Sequence, residues 1–288
     1  MPIARICKSD GATALAKVFD GFMVDLSVAA PDLPREIVAY LDPASEARAG
    51  FDAIGPDAPG RIAIEDVRLL APIPAPEKFL GIGLNYKAHG AEAERLGLKP
   101  PETQVWFNKQ VSCIVGPVDE VVIPSVSEKV DYEVELAVVI GQSCRYVDEA
   151  EARSVIGGYM VANDVSARDW QMRSPSVTLG KSFDTHGPTG PWLTFDNEIE
   201  DPQNLDLEMR INDEIRQSAN TRDMVFSIAE QVSYLSQVMT LKPGDILATG
   251  TPGGVGIAMQ PPTFVKPGDV MHAAITGLGH IRNVAVSE

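Results

Sequence analysis

The sequence predicts a strand-rich α+β fold in two parts, a small N-terminal α/β domain over residues 1–71 and a larger domain over residues 72–288. Three observations carry that prediction. After residue 72, apolar runs the length of strands recur between Gly, Pro and Asp punctuation, as in Asp119 to Pro124, Val134 to Gly141, Leu205 to Asn212 and Asp245 to Thr249. Helix-period stretches are few. The prolines at 72, 74 and 76 each fix their own φ and push the preceding residue out of helical space, so they mark an extended connector.

Taken in order, residues 1 to 70 mix short strand-like runs with a helix expected around Leu33 to Leu41, and no motif there carries chemistry. Helices are expected over Lys87 to Leu96, Glu149 to Ser154 and Ser227 to Met239, the last with apolar residues at 228, 232, 235 and 239 on a core-facing stripe. Lys242-Pro243-Gly244-Asp245 and Lys266-Pro267-Gly268-Asp269 repeat a turn-into-strand pattern, since Pro followed by Gly suits a tight turn. Two copies are too few for a solenoid or propeller.

With 288 residues the chain can bury about three quarters of its unfolded surface, and 44% hydrophobic with 22% charged residues is a globular composition. A net charge of -16 makes nucleic acid and anionic membrane surfaces poor partners, and an anionic substrate would need a local cationic pocket. Cys7, Cys113 and Cys144 are scattered without metal-ligand spacing, which predicts a reducing compartment. The first residues lack a signal-peptide stretch, and no run approaches the ~18 apolar residues of a membrane helix, so a cytoplasmic location is expected.

Glu133 and Glu135 sit two apart in the run Val130 to Ile140. The side-chain period of a strand puts both acids on one face and Val134, Leu136, Val138 and Ile140 on the other. Two buried like charges need a positive partner, and a divalent cation supplies one. An edge strand with a solvated polar face fits the spacing equally well. Asp164, at the end of another short apolar run, offers a third carboxylate, and three acids without His or Cys make an oxygen-only site that suits Mg2+ or Mn2+ over Zn2+. Taken singly, Asp164 also fits a helix N-cap.

His89 and Glu92 are three apart on a predicted helix and share a face, so Glu92 can orient His89 as a base, or the two form an ordinary solvated pair. Several familiar motifs fail. Gly180-Lys181-Ser182 meets Pro175 where a P-loop needs its first glycine, Gly253-Gly254-Val255-Gly256 lacks the dinucleotide spacing, and no nucleophile elbow occurs.

The blocks Gly81-Ile82-Gly83-Leu84-Asn85-Tyr86, Asp131-Tyr132-Glu133-Val134-Glu135, Asn163-Asp164-Val165-Ser166-Ala167-Arg168-Asp169, Gly180-Lys181-Ser182-Phe183-Asp184-Thr185 and Gly250-Thr251-Pro252-Gly253-Gly254-Val255-Gly256 resemble, in order and spacing, the fumarylacetoacetate hydrolase family. The resemblance runs from about residue 72 to 288 and implies a mixed β-roll that pairs into homodimers. It further implies Mg2+ or Mn2+ on Glu133, Glu135 and Asp164, with a catalytic dyad of His89 and Glu92 on a segment that orders over the substrate. Lys181 then polarises a substrate carbonyl, Arg168 and Gln171 bind substrate carboxylate or carbonyl oxygens, and Lys109 and Thr251 are secondary pocket residues. Without the family, Lys181 reads as a surface charge and Arg168 as a salt-bridge partner of Asp169 or another surface acid. His186 stands where relatives carry an apolar or small residue, and is either a specificity residue or a packed histidine.

The resemblance implies hydrolysis of a carbon-carbon bond in a small anionic keto acid of the 2,4-dioxo type, such as maleylpyruvate, fumarylpyruvate or a 2,4-diketo-3-deoxy sugar acid. Decarboxylation of an oxaloacetate-like acid or dehydration of a keto-deoxy sugar acid would use the same enolate chemistry. A non-catalytic metal-binding or assembly protein would be expected to lack His89, Glu92 or Lys181, and all three are present.

Overall fold

A computed structural model describes residues 1–95, 97 and 102–288. Its spine is a long mixed sheet in which Val134–Ile140 lies antiparallel between Ile156–Asn163 and Ile246–Ala248. On one side the sheet continues through Gly187–Phe195, Ile3–Cys7, Thr13–Phe19, Phe22–Asp25 and Arg61–Ala63. On the other, Ile246–Ala248 pairs in parallel with Phe79–Gly83, which pairs with Val105–Asn108. A second, five-stranded sheet is built from Glu214–Asn220, Asp206–Ile211, Val270–Ile275, Gly279–Ser287 and Val121–Ile123. The fold is the strand-rich α+β architecture expected. Among the described residues no helix is long and apolar enough to cross a membrane.

Val134–Ile140 is buried at every position because both of its faces meet a core. Val134, Leu136, Val138 and Ile140 pack with Leu207, Met209, Val232 and Leu235, which belong to the five-stranded sheet and the helix Ile228–Val238. Ala137 and Val139 pack on the opposite side with Leu15, Tyr40, Leu41 and Phe51. A solvated edge strand is therefore excluded, and Glu133 and Glu135 lie at the head of an interior strand. Residues 1–71, expected as a small N-terminal domain, join the long sheet through the pairing of Ile3 with Leu193 and share this second core.

Local chemistry explains most boundaries. Ser227 caps the helix Ile228–Val238, its hydroxyl accepting from Glu230 N (3.2 Å) while the Glu230 carboxylate accepts from Ser227 N (2.7 Å), a reciprocal capping box. Both Lys-Pro-Gly-Asp segments fold as the same turn. Gly244 and Gly268 adopt φ of 88° and 93°, and Asp245 and Asp269 each accept the N–H of the lysine three residues back (2.8 Å). The helix expected over Leu33 to Leu41 shrinks to a 3₁₀ turn, Ile37–Tyr40, because Pro34 disfavours helical backbone at Leu33. The one expected at Glu149 to Ser154 is a 3₁₀ turn at Ala152–Val155. The helix beginning at Lys87 forms as Lys87–Arg95, and its expected last residue, Leu96, lies outside the described residues.

Candidate metal centre and active-site cavity

The ladder breaks between Val130–Asp131 and Val134–Ile140, and side chains fill the gap. Glu133 N donates to Asn163 Oδ1 (3.0 Å), Val134 N donates to Gln217 Oε1 (3.0 Å), and Asp164 N donates to Glu133 O (2.9 Å). One carboxylate oxygen from each of Glu133, Glu135 and Asp164 lies within 4.8 Å of the others, and all three residues are buried. Asp164 caps no helix: the short helix Arg168–Gln171 has Ala167 at its N-cap.

Three cations are folded into the same cluster. Lys181 Nζ donates to Glu133 Oε2 (2.7 Å) and Asp164 Oδ2 (2.6 Å). Arg168 Nε donates to Asp131 Oδ2 (2.8 Å) and Nη1 donates to Gln171 Oε1 (2.9 Å), while Nη2 pairs with Glu133 Oε1 at 2.7 Å but off the hydrogen-bonding direction. Lys109 Nζ donates to Asp164 Oδ1 (2.6 Å), to His186 O (2.9 Å) and to Lys181 O. Arg168 is therefore paired with interior acids and not with Asp169, which accepts from the Ser127 hydroxyl (2.7 Å).

Charge decides what this cluster lacks. Four buried acids, Asp131, Glu133, Glu135 and Asp164, face three buried cations, Lys109, Arg168 and Lys181, which leaves one negative charge in excess. The excess falls on Glu135, whose carboxylate, among the described residues, accepts only Gly250 N (2.8 Å). Burial first, then the charges of Asp164 and Glu133, push the Glu135 pKa well above the usual carboxylate range. Burial opposes ionisation of Glu133 too, yet Lys181 and Arg168 beside it hold its pKa well below that range. For Lys181, the burial that would lower its pKa is outweighed by Asp164 and Glu133, which raise it. An under-compensated buried carboxylate within reach of two others, all oxygen donors, fits a hard divalent cation such as Mg2+ or Mn2+.

The cluster opens into a cavity of about 460 Å³ whose lining includes Glu133, Glu135, Arg168, Gln171, Lys181 and Thr251. His89 and Glu92 line it as well, on the helix Lys87–Arg95. His89 Nδ1 lies 3.3 Å from Glu92 Oε2, and Glu92 Oε1 accepts from Gly254 N (2.8 Å). The glycine turn that supplies that N–H is itself fastened to Asp131. Asp131 Oδ1 accepts from Gly256 N (2.7 Å) and Tyr132 N (2.9 Å), and Oδ2 accepts from Ile257 N (3.0 Å) besides Arg168. Only glycine fits at 254, where φ is 102° and a Cβ would stand 2.0 Å from Arg216 O.

The structure thus brings together every residue singled out in the sequence, though not all at the cavity surface. Lys109 points at Asp164 and two carbonyls, which makes it a support for that carboxylate. The Thr251 hydroxyl donates to Val134 O (2.9 Å) and accepts from Gln217 Nε2 (2.8 Å), so it braces the broken ladder while its residue lines the cavity. His186 is fully buried, its Nε2 3.0 Å from Val122 O, its ring against Phe183 and its Nδ1 without a partner among the described residues. Burial pushes its pKa down to about 4, so it is a neutral packed histidine. Sequence reasoning missed Asp131, Asn163 and Gln217. Asp131 did carry a signal, because it shares the alternation that pairs Glu133 with Glu135.

A strand-rich fold that encloses a carboxylate trio beside a His–Glu pair defines a candidate metal-dependent enzyme, and comparison with known proteins narrows the class. The family model for the fumarylacetoacetate (FAA) hydrolase C-terminal region matches residues 78–286. The chain belongs to the fumarylacetoacetate hydrolase family. A Burkholderia ambifaria protein whose name assigns it provisionally to the hydrolases is 46% identical over 262 residues, 90% of each chain. The fumarylacetoacetate hydrolase from Exiguobacterium antarcticum superposes with a TM-score of 0.87 at 33% identity, covering 100% of both chains. Maleylpyruvate hydrolase from Sphingobium sp. SYK-6, solved with manganese(II) and pyruvate, gives 0.82 at 33% identity over 100% of this chain and 99% of that one. The 2-hydroxyhepta-2,4-diene-1,7-dioate isomerase from Mycobacterium marinum gives 0.77 at 32% identity over the same shares.

Proposed function

We propose that the chain is a hydrolase that cleaves the carbon-carbon bond of an acylpyruvate-type 2,4-dioxo acid, with Mg2+ or Mn2+ at Glu133, Glu135 and Asp164. The observation that carries this proposal is a buried carboxylate trio, two of whose members, Glu133 and Glu135, line the same cavity as the His89–Glu92 pair, in a cluster with one negative charge in excess. When bound, a divalent cation supplies Lewis acidity and a template for the substrate's carboxylate and 2-oxo oxygens.

The chain's own groups do the rest. Gln171, its carbonyl occupied by Arg168, presents its amide N–H groups to a substrate oxygen. Glu92 accepts Nδ1–H of His89 and leaves Nε2 as the base. Nε2 takes a proton from water as the water oxygen bonds to the 4-carbonyl carbon. The bond between C3 and C4 then breaks, its electron pair leaves with the pyruvate fragment as an enolate, and the imidazolium returns its proton to C3. The ammonium of Lys181 offsets the charge that develops on the enolate oxygen.

Pyruvate release from short 2,4-dioxo acids, assayed with Mg2+, with Mn2+ and with chelator, tests the proposal. Turnover is expected to vanish on chelation, and His89→Ala is expected to keep Mn2+ while losing about 10²- to 10⁴-fold in rate. Activity that survives thorough chelation would sink it, and CO2 release from oxaloacetate without a second acid would replace it with decarboxylation.

A further inference from the structure

We propose that the substrate's acyl tail, the part beyond the 4-carbonyl, is an alkyl or aryl group and not a chain ending in a second carboxylate. The inference rests on the reaction assigned above and adds the class of substrate. Two observations lead to it independently.

The first is how the cavity's charges are distributed. Away from the acid cluster much of its wall is apolar, drawn from Leu84, from Val105 and Phe107 on one strand, from Met172 and Val177, and from Ile257. Val105 and Met172 are 49% and 66% exposed, apolar surface standing at the mouth where an entering chain would cover it. Among the described residues the lining cations are Arg168, Lys181 and Arg173. Arg168 and Lys181 are already matched to Asp131, Glu133 and Asp164. Arg173 lays its guanidinium on the Trp170 ring, 3.8 Å from its centroid. Among the described residues, a terminal carboxylate entering this wall would lose water with only Arg173, held flat on Trp170, left unmatched by an acid.

The second is backbone strain. Leu84 and Val177 both adopt left-handed conformations, with φ of 57° and 53°, which side chains of their kind disfavour, a β-branched valine most of all. Both line the cavity. Strain of this kind persists where the surroundings enforce it and gathers at ligand sites. Here both strained residues are aliphatic and belong to the cavity wall.

The test uses the full-length Mn2+-loaded protein and a series of acylpyruvates from acetyl- to octanoylpyruvate, beside chains of equal length ending in carboxylate. We expect kcat/KM to rise about fourfold per methylene over the first few, the equivalent of about 0.8 kcal/mol, and carboxylate-ended chains to fall at least tenfold below their alkyl isosteres. Kd values for both series are measured on His89→Ala by calorimetry, so the tail preference is read whether or not hydrolysis occurs. Failure of every acylpyruvate to yield pyruvate, with the alkyl preference kept in Kd, would sink the assigned reaction and leave the tail assignment standing. Val177→Gly removes the aliphatic group and suits the left-handed backbone, so its Tm should hold while the increment per methylene drops below twofold. A flat response to chain length, or a preference for carboxylate-ended chains that Arg173→Gln abolishes, overturns the inference.

Discussion

Glu133 and Glu135 are two residues apart, equally buried and both expected to hold the cation, yet in the metal-free protein their removal should act on stability in opposite directions. Glu133 neutralises Lys181 and Arg168 at 2.7 Å each. Glu133→Gln keeps the shape and deletes the charge, so two interior cations lose a shared partner. Breaking a buried pair from one side costs about 3–5 kcal/mol, because the other charge is left uncompensated. At about 2–4 °C per kcal/mol for a chain of this size, Tm should fall by roughly 10 °C. Among the described residues Glu135 has no cation of its own, only Gly250 N, and burial with Asp164 and Glu133 raises its pKa. Folding in the absence of metal therefore carries a penalty at neutral pH that Glu135→Gln removes. That variant should match or exceed the wild-type Tm in chelator. With Mn2+ at a hundredfold its Kd the wild type should gain about 2.7 kcal/mol, a gain both variants lose. Urea and thermal unfolding with and without Mn2+, and calorimetric Mn2+ titration, measure each quantity. Equal destabilisation of both variants in chelator would refute the charge count from which the cation site is argued.

Two further outcomes follow from the same geometry. Asp131→Asn keeps the oxygen that Gly256 N and Tyr132 N approach but turns an amide toward Ile257 N and Arg168 Nε, donors against a donor. With the glycine turn released, Glu92 loses its Gly254 anchor, and kcat should drop about 10²-fold in a protein that still binds Mn2+. An unchanged kcat would show that the turn does not position the dyad. For His186, the folded pKa of about 4 lies below the ordinary 6.5, so the unfolded chain takes the proton first. Stability is therefore full above pH 6.5 and lost as pH falls toward 4, by about 3 kcal/mol in all. His186→Phe should flatten the loss between pH 6.5 and 5 by about 2 kcal/mol in urea titrations, and an unaltered slope would assign that loss to other groups.

The parts of the fold that local chemistry controls were legible in the sequence. Ser227 and Glu230 cap a helix whose stripe at 228, 232 and 235 is buried as its spacing indicates, and both Lys-Pro-Gly-Asp turns launch strands. The helix at Leu33 to Leu41 failed for a local reason, Pro34, that periodicity alone ignores. Long-range pairing left no such trace. Nothing in Ile3–Cys7 announces that it lies against Gly187–Phe195, because a strand's partner is chosen by the whole core. The same limit applied to the site. Spacing placed Glu133 and Glu135 together but could not tell an edge strand from an interior one, a matter settled by Ile156–Asn163 and Ile246–Ala248 on either side. Nor could it reveal that Lys109 would reach Asp164, 55 residues on, or that Gln217 would brace the break at Val134 from a different sheet.

The charge count also reconciles an acidic chain with the anionic substrate proposed for it. A net charge of -16 repels small acids at long range, and the metal-free cluster, with all four acids ionised, carries one negative charge in excess that would repel them at contact. Adding two positive charges to that cluster, with all four acids ionised, reverses its sign and leaves one positive charge facing the cavity. The monoanionic keto acid proposed as substrate would then meet a complementary centre only with a cation in place, so one event would create both the binding site and the electron sink. Lys109, Arg168 and Lys181 are what make this possible. With fewer cations the loaded site would be neutral or negative and would not attract the acid, and with more the carboxylates would be satisfied without metal. Three cations against four acids is the one ratio, among these seven groups, that leaves a carboxylate free for the ion and a positive charge for the substrate.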